Sequence, residues 1–199
     1  MFKIICVTDR RSCKEDLFTR IEKIASARPD RIMFRDKDSS DEDYLKAAFK
    51  LLEIGKKYSV PCTMYRRMDI FGSIHMTMPM LRNTSQKDTQ CLELIGASVH
   101  SVDEAVEAEQ WGVDYVIAGH IFATDCKKGL APRGLDFLKQ VCNAVKIPVY
   151  AIGGINADNI NSVAQAGASG ACIMSGFMTC EDPDEYIKNL RKGAEASEF

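Results

Sequence analysis

Short runs rich in Ile, Val and Met recur along nearly the whole chain, and stretches with helical periodicity separate them. Strands and helices in strict alternation form βα units, whose strands lie parallel. The strand-like runs fall near residues 3–8, 31–35, 60–64, 73–76, 95–98, 115–118, 148–152 and 171–174. Helical patterns occupy about 14–27, 41–58, 101–111, 134–145, 157–166 and 183–195. Eight such strands predict an α/β fold, a closed (βα)8 TIM barrel. With no linker or low-complexity stretch, residues 1–199 are expected to form one domain. The barrel is small beside the typical ~250 residues.

Helix signals support this parsing. Ser40 and Asp41 are placed to cap the second helix, Ser101 with Glu104 reads as a capping box, and Gly112 ends that helix. The segment 66–90 leaves little room for a full helix between two candidate strands, so a short turn is expected there.

The composition is that of a globular protein, 46% hydrophobic and 27% charged. Twenty-six basic residues stand against 28 acidic ones, with no long basic run to track a phosphodiester backbone, so nucleic acid is not an expected partner. No apolar run reaches the roughly 18 residues of a membrane span, and the expected compartment is the cytoplasm. Eight cysteines lie dispersed, several inside apolar runs, which suits reduced thiols better than a disulfide frame. No CxxC or histidine-rich spacing points to zinc. Oligomeric state is not specified, and a homo-oligomer is left open.

In such barrels the ligand lies at the carboxyl ends of the strands. Those ends carry Thr8 and Asp9, Arg35 and Lys37, Tyr65 and Arg66, His75, Ser98 and His100, His120, Gly153 and Gly154, and Ser175 and Gly176. AIGGI (151–155) and IMSG (173–176) end the seventh and eighth strands, where glycines let backbone N–H groups approach an anion, most simply a phosphate. Arg35 and Lys37, in FRDKD, bring two cations to the same rim; they meet either a second anionic group or solvent.

The longest polar loop follows the sixth strand, in YVIAGHIFATDCKKGLAPRG (115–134). It presents His120, Thr124, Cys126, Lys127 and Lys128. His120, at the mouth of the strand, is the candidate proton-transfer group. His75 and His100 read as residues that hold turns. Adjacent lysines more often bind phosphate or water than form Schiff bases, and no base is fixed beside the Cys126 thiol.

CVTDR, FRDKD, SVHSVDEA, DYVIAGHIFATDCKKG, IPVYAIGGI and AGASGACIMSG together resemble the thiamine phosphate synthase superfamily, and more closely its thiazole tautomerase (TenI-type) branch. The resemblance spans nearly the whole chain and implies the barrel. Synthases typically have proline where this sequence has His120 and Thr or Ser where it has Cys126. They also use an Asn-Asp pair and a later acid to hold Mg²⁺ and pyrophosphate. Here Tyr65 and Arg66 stand at the pair, residues 77–80 lack the later acid, and Met33 replaces a glutamine.

The resemblance therefore implies a cofactor-free isomerase acting on a thiazole carboxylate phosphate, a small molecule of thiamine biosynthesis. A base would take the ring proton at C2, and an acid would return a proton to the exocyclic carbon. His120 is the expected catalytic residue. Gly153, Gly154, Ser175 and Gly176 would hold the phosphate; Arg35 and Lys37, with Lys127, would meet the carboxylate; Ser98, Thr124 and Cys126 complete the expected binding set. The alternatives are an Mg²⁺-dependent thiamine phosphate synthase and a non-catalytic protein that binds thiamine-related phosphates.

Overall fold

The computed structural model describes residues 1–127 and 129–195. Eight parallel strands close into a barrel in sequence order: β1 (Lys3–Val7), β2 (Arg31–Phe34), β3 (Cys62–Met64), β4 (Ser73–Thr77), β5 (Leu94–Val99), β6 (Tyr115–Gly119), β7 (Val149–Ile152) and β8 (Gly170–Ile173). Closure comes from β8 pairing with β1, with Ile5 against Cys172. The helices are α1 (Leu17–Ser26), α2 (Asp41–Tyr58), α3 (Met78–Arg82), α4 (Val102–Trp111), α5 (Gly134–Ala144), α6 (Ile160–Gln165), α7 (Ser175–Thr179) and α8 (Pro183–Glu195).

The strands are apolar on both faces because each face is buried. Ile4, Cys6, Ile32, Phe34, Ile74, Met76, Val116 and Ala118 point outward into a core shared with the helices. Their neighbours Ile5, Val7, Met33, Tyr115, Ile117 and Cys172 pack inside the barrel. α1 shows how the outer layer is made. Leu17, Ile21 and Ile24 recur at helical spacing and are buried, while Asp16 accepts bonds from the backbone N–H groups of Phe18 and Thr19. Burying one such side chain contributes roughly 1.5–3 kcal/mol.

Ser40 caps α2 through the N–H of Asp43, and Gly112 ends α4 in the left-handed region at φ 100°. Ser101 caps α4 through the N–H of Glu104, but the Glu104 carboxylate reaches back to the N–H of His100, one residue beyond the reciprocal box. Between β3 and β4 the chain makes only a turn, as expected; the five-residue α3 and α7 were not foreseen. No helix among the described residues is long and apolar enough to cross a membrane.

Candidate functional site

A cavity of about 300 Å³ opens at the carboxyl ends of the strands. Its floor is the upper interior of the barrel: Val7, Tyr65, Thr77, Ser98, Ile117, Ile152 and Cys172. Its rim carries Arg35, Lys37, His100, His120, Thr124, Cys126, Lys127, Gly153, Gly154 and Ser175. Of the eleven residues expected at the site, only Gly176 is absent from this wall. A Cβ built on Gly176 would lie 1.9 Å from the Tyr186 hydroxyl, so packing of α8 explains that glycine. Lys128 lies outside the described residues.

The loop after β6 is held on two sides. Ile121 N–H donates to Ile152 O at 2.9 Å and Phe122 N–H to Gly153 O at 3.0 Å, so the loop pairs with the end of β7. Arg133 N–H then donates back to His120 O at 3.0 Å, closing the loop on its first residue. These bonds set the His120 backbone against Gly153, where a Cβ would stand 2.4 Å from the His120 Cβ. At Gly154 a Cβ would meet Ala123 O at 2.4 Å. Both glycines have positive φ, 107° and 66°. The space their missing side chains leave is thus filled by the β6 loop, not by the open cavity, while their backbones still line the cavity wall.

His120 is buried, 9% exposed, and its Nε2 is shielded from solvent with no hydrogen-bond partner among the described residues. A buried imidazole nitrogen without a partner calls for one, and the cavity that His120 lines is the space from which a bound molecule could supply it. Across the rim, Lys37 has its pKa held down first by the neighbouring Arg35 charge, then by partial burial and Lys127. Cations that repel one another in this way are relieved by an anion. Arg35 itself is fixed by Thr8, whose Oγ accepts its N–H at 3.0 Å, and its guanidinium stands 3.8 Å from Asp9. Cys126 and Lys127 sit on a short 3-10 turn (Asp125–Lys127) that follows Thr124, whose carbonyl accepts from the Lys127 N–H.

The site does not fit a divalent cation. No Asp or Glu is among the described residues lining the cavity, and no group of three or more His, Cys, Asp or Glu among the described residues could hold a metal ion. Hard cations need oxygen ligands. Arg66 is committed to Asp41, Ser39 and the Asp36 carbonyl, and Asp69 is clamped by Arg67 at 2.7 and 2.9 Å.

His75 is not at the strand end, where the sequence reading placed it. β4 runs on to Thr77, and the His75 ring is fully buried inside the barrel between Tyr65 (centroids 4.9 Å) and Tyr115 (5.6 Å). Neither this cluster nor the role of Tyr65 as a cavity wall is visible as a motif; the only signal is polar residues on the inward period of strands. Burial pushes the His75 pKa down to about 3 from the ordinary 6.5. The fold therefore keeps His75 neutral where the unfolded chain would protonate it. The stability tied to a neutral His75 is complete above about 6.5 and is lost as pH falls towards about 3. Denaturant unfolding at pH 7 and pH 5 should show this as a loss approaching 1.4 kcal/mol per pH unit, to order of magnitude. His75→Gln should flatten that slope.

A parallel (βα)8 barrel with a cationic, ligand-sized cavity at its carboxyl mouth defines the class of protein. A family model described as thiamine monophosphate synthase (TMP-TENI) matches residues 4–177. Thiamine-phosphate synthase from Clostridium acetobutylicum is 35% identical over 191 residues, covering 90% of this chain and 89% of its own. The Fusobacterium nucleatum protein of the same name is 33% identical, with 96% of each chain covered. The solved thiamine phosphate pyrophosphorylase from Pyrococcus furiosus superposes with a TM-score of 0.84 at 31% identity, covering 98% of this chain and 96% of that one. The chain belongs to the thiamine monophosphate synthase (TMP-TENI) family.

Proposed function

We propose that this family member is a thiazole tautomerase, which aromatises a thiazole carboxylate phosphate by a 1,3-proton shift without a metal. The observation that carries the reading is His120, its Nε2 buried and without a partner among the described residues, on the wall of a cavity with cations and, among its described residues, no carboxylate. The base would remove the proton from ring carbon C2; the ring electrons shift to form the aromatic system, and the exocyclic carbon takes up a proton. Proton count and charge balance over the two steps, and one imidazole can serve both if it reaches both carbons. Arg35, Lys37 and Lys127 would face the carboxylate. The backbone at Gly153, Gly154 and Ser175, with the first turn of α7, would face the phosphate.

The names of the relatives favour a second reading, thiamine phosphate synthase, in which a pyrimidine pyrophosphate alkylates the thiazole. Against it stands the donor set: Tyr65 and Arg66 occupy the positions where synthases carry their Asn-Asp pair, and Arg66 is tied to α2 and the loop before it. The two readings part cleanly in one assay. We expect aromatisation of the thiazole tautomer in EDTA at the same rate as in Mg²⁺, after subtraction of the spontaneous rate. No thiamine phosphate should form when the pyrimidine pyrophosphate and Mg²⁺ are supplied. Mg²⁺-dependent formation of thiamine phosphate would reverse the ranking.

A further inference from the structure

Beneath the cavity floor, three strands carry one hydrogen-bonded chain of side chains. His75 on β4, Gly96 on β5 and Tyr115 on β6 share one layer, His75 paired with Gly96 and Gly96 with Tyr115. Gly96 has a spatial reason to be glycine: a Cβ there would lie 2.0 Å from the Tyr115 ring. The gap lets the phenol cross over β5, so that its hydroxyl meets His75 Nδ1 at 3.2 Å. The other ring nitrogen, Nε2, lies 2.7 Å from the hydroxyl of Ser98, which lines the cavity one layer higher.

The direction of these bonds follows from what each group can do. His75 is buried and neutral, so one ring nitrogen donates and the other accepts. The Tyr115 hydroxyl is itself buried, and His75 Nδ1 is its only hydrogen-bond partner among the described residues. Were Nδ1 protonated, the Tyr115 proton would be left without an acceptor in the barrel interior, a costly state for a buried donor. Tyr115 therefore donates to Nδ1, which places the proton of His75 on Nε2. Nε2–H in turn donates to Ser98, whose own proton is left to point into the cavity.

We propose that the Tyr115–His75 pair fixes the Ser98 hydroxyl as a hydrogen-bond donor to an acceptor atom on the heterocyclic end of the ligand, away from the β7 and β8 turns. The identity of that ligand rests on the proposed function. Tyr115 and His75 are positioning residues: they act through Ser98 and do not touch the substrate.

Two measurements test this. Nitrogen-15 NMR of histidine-labelled, ligand-free protein should show His75 as a single Nε2–H tautomer; an Nδ1–H tautomer would overturn the proposal whatever the reaction proves to be. Calorimetry with the thiazole carboxylate phosphate product should show Tyr115→Phe and Ser98→Ala each weakening binding about 2- to 10-fold, the worth of one hydrogen bond. The double variant should bind no worse than Ser98→Ala alone, because the first change acts only through the second. Additive losses, or unchanged affinity in Tyr115→Phe, would mean a purely structural role. If the wild type failed to bind this probe, the functional proposal would fall, while the NMR result would still decide the direction of the hydrogen bonds.

Discussion

Replacing His120 with Asn should abolish most of the catalysed turnover and leave ligand binding nearly intact. Asparagine is close in size and keeps a polar group in the cavity, but its amide cannot cycle a proton near neutral pH. General acid-base catalysis contributes typically ~10²–10⁴-fold, and that is the loss expected in kcat above the spontaneous rate. The contacts that hold the loop run through the backbones of residues 120–122, so the substitution leaves them in place. His75→Asn should lower kcat less, acting through Ser98 and through stability. His100 is half exposed and sits 3.6 Å from Glu104, so His100→Asn should also do less. If His120→Asn turned over normally while His100→Asn were dead, the base would belong to the strand before.

Gly154→Val should cost both stability and activity, for a reason that lies in the protein before it lies in the ligand. A β-branched residue at φ 66° is strained, at about 1–3 kcal/mol. Its Cβ would also press on the Ala123 carbonyl and the Phe122 side chain, and overpacking of this kind typically costs about 1–3 kcal/mol more. The strain is relieved by pushing the β6 loop off β7, which carries His120 with it. Denaturant unfolding should show the loss in the ligand-free protein. Gly112→Ala is the control: its φ is also positive, but a Cβ there meets nothing within 4 Å, so only the backbone strain should appear and activity should survive. A Gly154→Val variant as stable as the wild type would mean that the loop is not seated as described.

The glycines mark the limit of what could be read from the sequence. AIGGI at the end of a predicted strand marks Gly153 and Gly154 as special, but the partner that forbids a side chain there is a loop more than 25 residues earlier in the chain. The barrel was legible because strands buried on both faces have an unmistakable run of Ile, Val and Met, and because helices with Ser caps and a Gly stop announce their ends. Short helices such as α3 and α7 have less than two turns over which to show a period, so only the structure reveals them. Most of the rim was legible for a related reason: in a parallel barrel, residues at strand ends converge wherever they fall in the sequence. Arg35, Ser98, His120 and Ser175 meet at one cavity on that rule alone. The His75–Tyr115 contact was not, since 40 residues separate the partners and register alone decides that Gly96 lies between them.

The most direct measurement is a crystal structure of the protein with thiazole carboxylate phosphate bound. We expect the phosphate against the backbone of Gly153, Gly154 and Ser175, the carboxylate among Arg35, Lys37 and Lys127, and His120 Nε2 about 3–3.5 Å from the reacting ring carbon, a distance from which a proton can pass. A ligand seated with its heterocycle away from His120, or with its phosphate outside the β7 and β8 turns, would contradict proton transfer at this histidine.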